Sequence, residues 1–252
     1  MVDSLEAAGD YVGARLACER VVCQTTDPAL RNQALLRKGR LFKAAGNYTE
    51  AQHTLLRANA FIGPDSLRFW LKYELALTAY LSGDYPVART HAQQVRYLMA
   101  ATPYRYGTLH LELMTLHAEQ RWDEARALYE ELGAAAGYTM EAETLYGTPP
   151  KLKNANTAEW LHILLPGTGL IYAGAPGAGL LTGLAYGGGL AFGTWQVLQG
   201  AYFSGIIASG ALLYGVFSAG YRYTTQRVQA NNDAAIREYN TRLNAALLGM
   251  VR

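Results

Sequence analysis

Few side chains in this chain could move a proton or hold a metal near neutral pH. They are His53, His91, His110, His117 and His162, with two cysteines, Cys18 and Cys23. None falls in a His-Glu-x-x-His or Cys/His pattern with metal-ligand spacing, so no metal site is expected. His110 and His117 can share one helix face, where a pair of packing or groove histidines is the simpler reading. Asp123-Glu124 and Glu130-Glu131 read as solvated helix faces, and no Gly-x-Ser-x-Gly nucleophile elbow occurs. The cysteines point to different faces of one helix and are not expected to bridge. The chain is expected to be no enzyme and to need no cofactor.

The glycine-rich stretch 164–179, LLPGTGLIYAGAPGAG, is the other place where chemistry could reside. Gly169 and Gly174 have the spacing of a Walker phosphate loop, but Ala175 and Pro176 stand where Lys and Ser/Thr belong. Gly167-Thr168-Gly169 lacks the third glycine of a dinucleotide fingerprint, and no βαβ pattern surrounds it. Nucleotide chemistry is rejected.

The 252 residues carry a formal charge of only +2 without a dense Lys/Arg stripe, so nucleic acid is not an expected partner. That average conceals a division. Between Trp160 and Tyr221 lie 62 residues without a charge and 15 of the 26 glycines. The composition shifts near Gly147-Thr148-Pro149-Pro150. MVDSLEAAGD has no basic patch followed by an apolar core, so no signal peptide is expected there.

The part before that boundary repeats. AAGDYVGARLA, AAGNYTEAQHT, LSGDYPVARTH and AEQRWDEARAL align without gaps. Gly9, Gly46, Gly83 and Gln120 form one column with a period of 37; Tyr11, Tyr48, Tyr85 and Trp122 form a second, and Ala14, Ala51, Ala88 and Ala125 a third. A helix–turn–helix unit accounts for all three. The glycine ends one helix, the aromatic plugs the gap between paired helices, and the alanine lets the second helix approach its neighbour. Asp27-Pro28, Gly63-Pro64 and Thr102-Pro103 punctuate the passages between repeats.

RKGRLFKAAGNYTEAQHTLLRA (37–58) resembles the tetratricopeptide repeat, with Gly39, Phe42, Gly46, Tyr48, Ala51, Leu55 and Ala58 at the family's signature positions. Later copies have Ala76 and Leu113 in place of the first glycine. The alignment starts the first repeat six positions before Met1, so the chain is expected to begin inside a helix. The resemblance implies a concave face that binds a protein partner. Its groove positions would be Gln33, Leu36, Arg40 and Lys43, then Trp70, Tyr73, Leu77 and Tyr80, then Gly107, His110, Met114 and His117. Leu36, Leu77 and Met114 also suit plain helix packing. Trp70, Tyr73 and Tyr80 are the better contact candidates.

The uncharged run leaves no polar face for water, and a bilayer is its expected surrounding. Gly177–Leu198 and Ala201–Tyr221 are each long enough to span a core of roughly 30 Å. Gly179, Gly183 and Gly187, continued by Gly189 and Gly193, are spaced for close helix packing. Gly205, Ser209, Ala211 and Gly215 answer them, so a tight transmembrane hairpin is expected. Trp195, Tyr202, Tyr214 and Tyr221 are candidate interfacial anchors.

Pro166-Gly167-x-Gly169-x-x-Tyr172-x-Gly174 is similar to the motif of small two-transmembrane hairpin modules, which follow tetratricopeptide repeats in some bacterial envelope proteins. The commoner form has Gln where Leu170 stands. This resemblance covers 158–222 and implies a membrane anchor or packing module, with 164–179 as an irregular, re-entrant connection. Past Arg222, Val228, Asn232, Ile236, Tyr239, Leu243 and Leu247 recur at helical spacing. That stripe fits three arrangements: on the membrane surface, against the repeats, or as a continuation of the second span.

The expected architecture is all-α: a tetratricopeptide-like solenoid over 1–135, a linker over 136–156, a membrane domain over 157–221 and an amphipathic helix over 222–252. The expected place is the bacterial inner membrane. Lys151, Lys153, Arg222 and Arg227 favour a cytoplasmic repeat domain, while the family resemblance allows a periplasmic one. Protein partners and the bilayer are the expected contacts. The functions open at this stage are a membrane-anchored interaction scaffold, a transient insertion or assembly factor and, less well supported by these uncharged faces, an oligomeric channel.

Overall fold

Four turns at a fixed interval organise the first part of the chain. Gly9, Gly46 and Gly83 have φ of +75°, +76° and +84°, and Gln120 follows in the same column at +59°. Each left-handed residue ends one helix and lets the next begin at once. Asp10 then accepts a hydrogen bond from the Gly13 amide (2.8 Å) and Asp84 from that of Val87 (3.4 Å), occupying amide donors that the new helix leaves open. The computed structural model describes residues 2–250, and among them all regular structure is helical.

Two compact units divide the chain. The first comprises the described residues up to Thr148 together with those from Asn240 onward. Its helices are α1 (Val2–Ala7), α2 (Tyr11–Gln24), α3 (Pro28–Ala44), α4 (Tyr48–Leu56), α5 (Asp65–Leu81), α6 (Tyr85–Leu98), α7 (Leu109–Ala118), α8 (Trp122–Leu132) and α9 (Ala142–Tyr146). Each of them packs on the next through α9, and α3 also meets α5 as α5 meets α7. Those extra contacts set α3, α5 and α7 side by side in one row.

The alanine column accounts for that closeness. Ala14, Ala51, Ala88 and Ala125 are all 0% exposed, and a Cβ on Gly39 would come within 2.7 Å of the Leu55 side chain. Leu36, Leu55, Leu67, Leu71 and Leu75 form one core cluster, so Leu36 serves packing. Leu77 likewise packs against Ala76, Ala92 and Leu111. The aromatic column is less uniform than expected. Tyr48, Tyr85 and Trp122 are half-buried, but Tyr11 is largely exposed because only the short α1 precedes it.

The second unit runs from Pro149 to Tyr239. It holds α10 (Ala155–Leu164), α11 (Thr168–Tyr172), α12 (Pro176–Leu198), a π-helical turn at Ser204–Ala208 and most of α13 (Ser209–Met250). The residues expected to form a loop over 164–179 include α11, and 222–252 is no separate helix: its described residues continue α13. The expected linker divides as well, since 136–148 belongs to the first unit and buries Leu145 and Tyr146.

Among the described residues, one helix, Ser204–Met250, is long and apolar enough to cross a membrane. Of the two expected spans it carries the second. α12 has 23 residues and no charge, but its seven glycines lower its hydropathy.

Candidate functional site

A continuous line of side chains crosses α3, α5 and α7. Arg40 and Lys43, one turn apart on α3, both reach Glu74 of α5 (2.8 and 2.6 Å). Glu74 is 3% exposed, and a buried carboxylate demands such partners. The Arg40 guanidinium also lies 4.9 Å over the Trp70 ring, a cation–π contact. Trp70 meets Tyr73 edge-on, and the Tyr73 hydroxyl is 3.4 Å from His110 Nε2. Beneath them Phe69 stacks on Tyr104 at 4.7 Å. Gly107 leaves room for that stack, since a Cβ there would come within 2.7 Å of Phe69.

Arg40, Lys43, Trp70, Tyr73 and His110 are thus brought together, and Gln33 shares a cavity lining with Arg40. Gln33 is exposed and Trp70 is 41% exposed, and a cavity of about 510 Å³ opens beside Gln33, Leu36, Arg37 and Arg40. His110 is buried, and burial lowers its pKa. It borders a second cavity of about 650 Å³ with Gly107, Tyr138 and Met250.

Farther along the row, the expected groove residues Tyr80 and His117 are not open to a partner. His117 is 0% exposed. Its Nδ1 is 2.8 Å from Asn244 Oδ1 and its Nε2 3.1 Å from the Tyr146 hydroxyl. This geometry places the proton on Nδ1 and leaves Nε2 as acceptor. Burial holds the imidazole down at about 4, with the Asn244 bond opposing. Burial also pushes the half-buried Tyr80 hydroxyl up.

The occupant is the chain's own C-terminal segment. Asn240 donates to the His117 carbonyl (2.8 Å) and accepts from Trp122 Nε1 (2.9 Å). Leu243 and Leu247 are both 0% exposed. Of the three arrangements open to the apolar stripe, this end follows packing against the repeats.

In the second unit the Pro-Gly motif proves to be a close-packing device. Gly167 has φ +100°, and Gly174 has φ +89°. A Cβ on Gly169 would collide with the Ala158 carbonyl, the His162 side chain and Thr224. The Gly167 amide donates to His162 Nδ1 (3.4 Å), and His162 Nε2 donates to the Phe217 carbonyl (3.2 Å). His162 thus ties α10 to both α11 and α13. Tyr172 accepts the Asn154 amide through its hydroxyl (3.2 Å), and its carbonyl receives Lys153 Nζ (2.9 Å).

The expected glycine seam is redistributed. Gly193 faces Ser209 and the Gly205 carbonyl, Gly205 faces Val197, and Gly189 faces Leu212 and Leu213. Gly179 meets Gly167 and Ile171, while Gly183 has only the Pro166 carbonyl near it. Gly187 and Gly215 meet nothing within 4 Å, so they take no part in this helix pair. Their regular spacing is periodic in sequence, but a straight helix turns those positions progressively away from one neighbour.

No protein family, curated protein or solved structure matches this chain. Sequence reading missed Asn240 and Asn244, because polar residues on an amphipathic helix carry no sign of a partner more than a hundred residues away, and it missed Tyr146, which stood in the expected linker. It also missed Glu159, whose carboxylate accepts from the Tyr221 hydroxyl (2.8 Å).

Proposed function

We propose that this chain is a membrane-anchored protein–protein interaction scaffold, an accessory subunit of a larger bacterial inner-membrane complex. On this reading the first unit is a tetratricopeptide-like solenoid whose concave row is α3, α5 and α7. The second is a glycine-rich transmembrane hairpin made by α12 and the start of α13. The chain binds and positions, and does no chemistry of its own.

The observation that carries the reading is the open half of the row. Trp70 stands 41% exposed beneath the Arg40 guanidinium, and Arg40 also lines a cavity of about 510 Å³. Exposed Trp and Arg over a rigid helical frame are the residue types that dominate binding energy at protein interfaces. The repeat columns support the solenoid, and the uncharged run supports the anchor. A mild-detergent pull-down from native membranes tests it, comparing the natural chain with Trp70→Ala. One or two partners at equal stoichiometry, lost in Trp70→Ala with helix content unchanged, is the expected result. A scatter of substoichiometric clients would favour a transient assembly factor instead. Retention of the partners by Trp70→Ala would move the docking surface elsewhere.

A further inference from the structure

The second unit has a short charged stretch beside an uncharged one. α10 runs antiparallel to α13, and three contacts fix the register. The Asn232 side chain bonds both the amide and the carbonyl of Lys153 (2.9 and 2.8 Å). Glu159 meets Tyr221 (2.8 Å) and Thr225 (3.4 Å), and His162 meets the Phe217 carbonyl. Lys153, Arg222 and Arg227 therefore share the stretch between the Asn232 and Tyr221 levels. Beyond Tyr221, toward Ser204, no charge follows.

Around the same end α10 turns Trp160, Ile163 and Leu164 outward, at 64%, 45% and 78% exposure. Aromatic and apolar side chains next to cations are the composition of a membrane–water boundary. Glu159 is the only carboxylate between Glu143 and Asp233, and it is turned inward onto two hydroxyls. Arg222 and Arg227 are exposed and form no salt bridge among the described residues. The next acid, Asp233, lies past the Asn232 level. Lys153 is committed to the Tyr172 carbonyl.

We infer that this belt, Arg222 and Arg227 beside Trp160, binds the headgroups of anionic phospholipid and seats the second unit on an anionic leaflet. The inference rests on the membrane reading above. Each cation at such a surface is worth about fivefold in lipid preference at moderate salt.

The test uses the full chain in vesicles of phosphatidylcholine alone or with one part in four phosphatidylglycerol. Co-purifying lipid is counted by native mass spectrometry, and alkaline extraction reports integration. The natural chain should retain phosphatidylglycerol selectively, and that selectivity should fade with rising salt. Arg222→Gln/Arg227→Gln should lose roughly 25-fold of it, about fivefold for each cation, while staying integral. An integral chain without lipid preference, or with a preference indifferent to salt, overturns the belt and leaves the anchor standing. A chain released by alkali overturns the membrane reading itself. Undiminished selectivity in the double variant overturns the assignment to these arginines.

Discussion

Acidification should loosen the C-terminal segment from the rest of the first unit, and His117 sets how strongly. Its imidazole is fully enclosed, and the side chains that meet it, Asn244 and Tyr146, are neutral. Burial lowers its pKa from 6.5 to about 4, so the released state takes up the proton more readily. The stabilisation is complete above about pH 6.5 and is lost as pH falls toward 4. A shift from 6.5 to about 4 corresponds to about 3 kcal/mol at the acid limit, and to about 2 kcal/mol at pH 5.

Hydrogen exchange on the full chain in nanodiscs would measure it, read over the amides of residues 240–250 and corrected for intrinsic rates. The natural chain should open roughly 20-fold more readily at pH 5 than at pH 7, the equivalent of about 2 kcal/mol. His117→Gln keeps a donor for Asn244 and an acceptor for Tyr146 but cannot titrate, and its exchange should be nearly flat over that range. His91 and His110, also lowered by burial, act in the same direction in both proteins and cancel in the comparison. Glu112, raised by burial, acts in the opposite direction and cancels too. Equal acid sensitivity in the two proteins would refute the role given to His117.

Gln120→Gly should raise stability by about 0.5–1 kcal/mol, because glycine removes the left-handed strain and returns only part of that gain as chain entropy; urea unfolding followed by circular dichroism measures it. Gly193→Leu should lower the melting temperature in detergent by several degrees, since overpacking costs about 1–3 kcal/mol and the new side chain meets Ser209 and the Gly205 carbonyl. Gly187→Leu faces open space and should leave that temperature unchanged. Equal losses in both would place the seam elsewhere. Ala88→Leu should unfold the neighbourhood of α5 and α6, because Ala88 is 0% exposed; a cooperative transition of undiminished amplitude would contradict this.

What could be read in the sequence was what repeats locally. The Gly9, Gly46, Gly83 and Gln120 column foretold a turn that the backbone adopts four times, even where glycine is replaced. The alanine column foretold positions with no exposed surface. Both are short-range effects, written within one helix–turn–helix unit. The glycine spacing in the uncharged run was legible only as closeness to some neighbour. Gly193 meets α13 while Gly187 meets nothing, because rotation along the helix decides which small residues face the partner. The fate of His117 was beyond the sequence, since its partner Asn244 lies 127 residues away. The same distance hid the closed half of the row.

That closure bears on where a partner can bind. Burying Leu243 and Leu247 contributes about 1.5–3 kcal/mol each, and the paired Asn240 and Asn244 contacts add about 1 kcal/mol apiece. A partner helix entering at His117 would first have to remove a segment held by roughly 5 kcal/mol, a several-thousandfold loss of affinity. At Arg40 and Trp70 no segment has to be removed. Glu74 already neutralises part of the local positive charge, so the open half offers an aromatic face and one surplus cation instead of a dense basic patch. Such a surface selects a partner by apolar fit first and by charge second. On the scaffold reading, Trp70→Ala should abolish partner binding, and Asn240→Ala with Asn244→Ala should leave it intact.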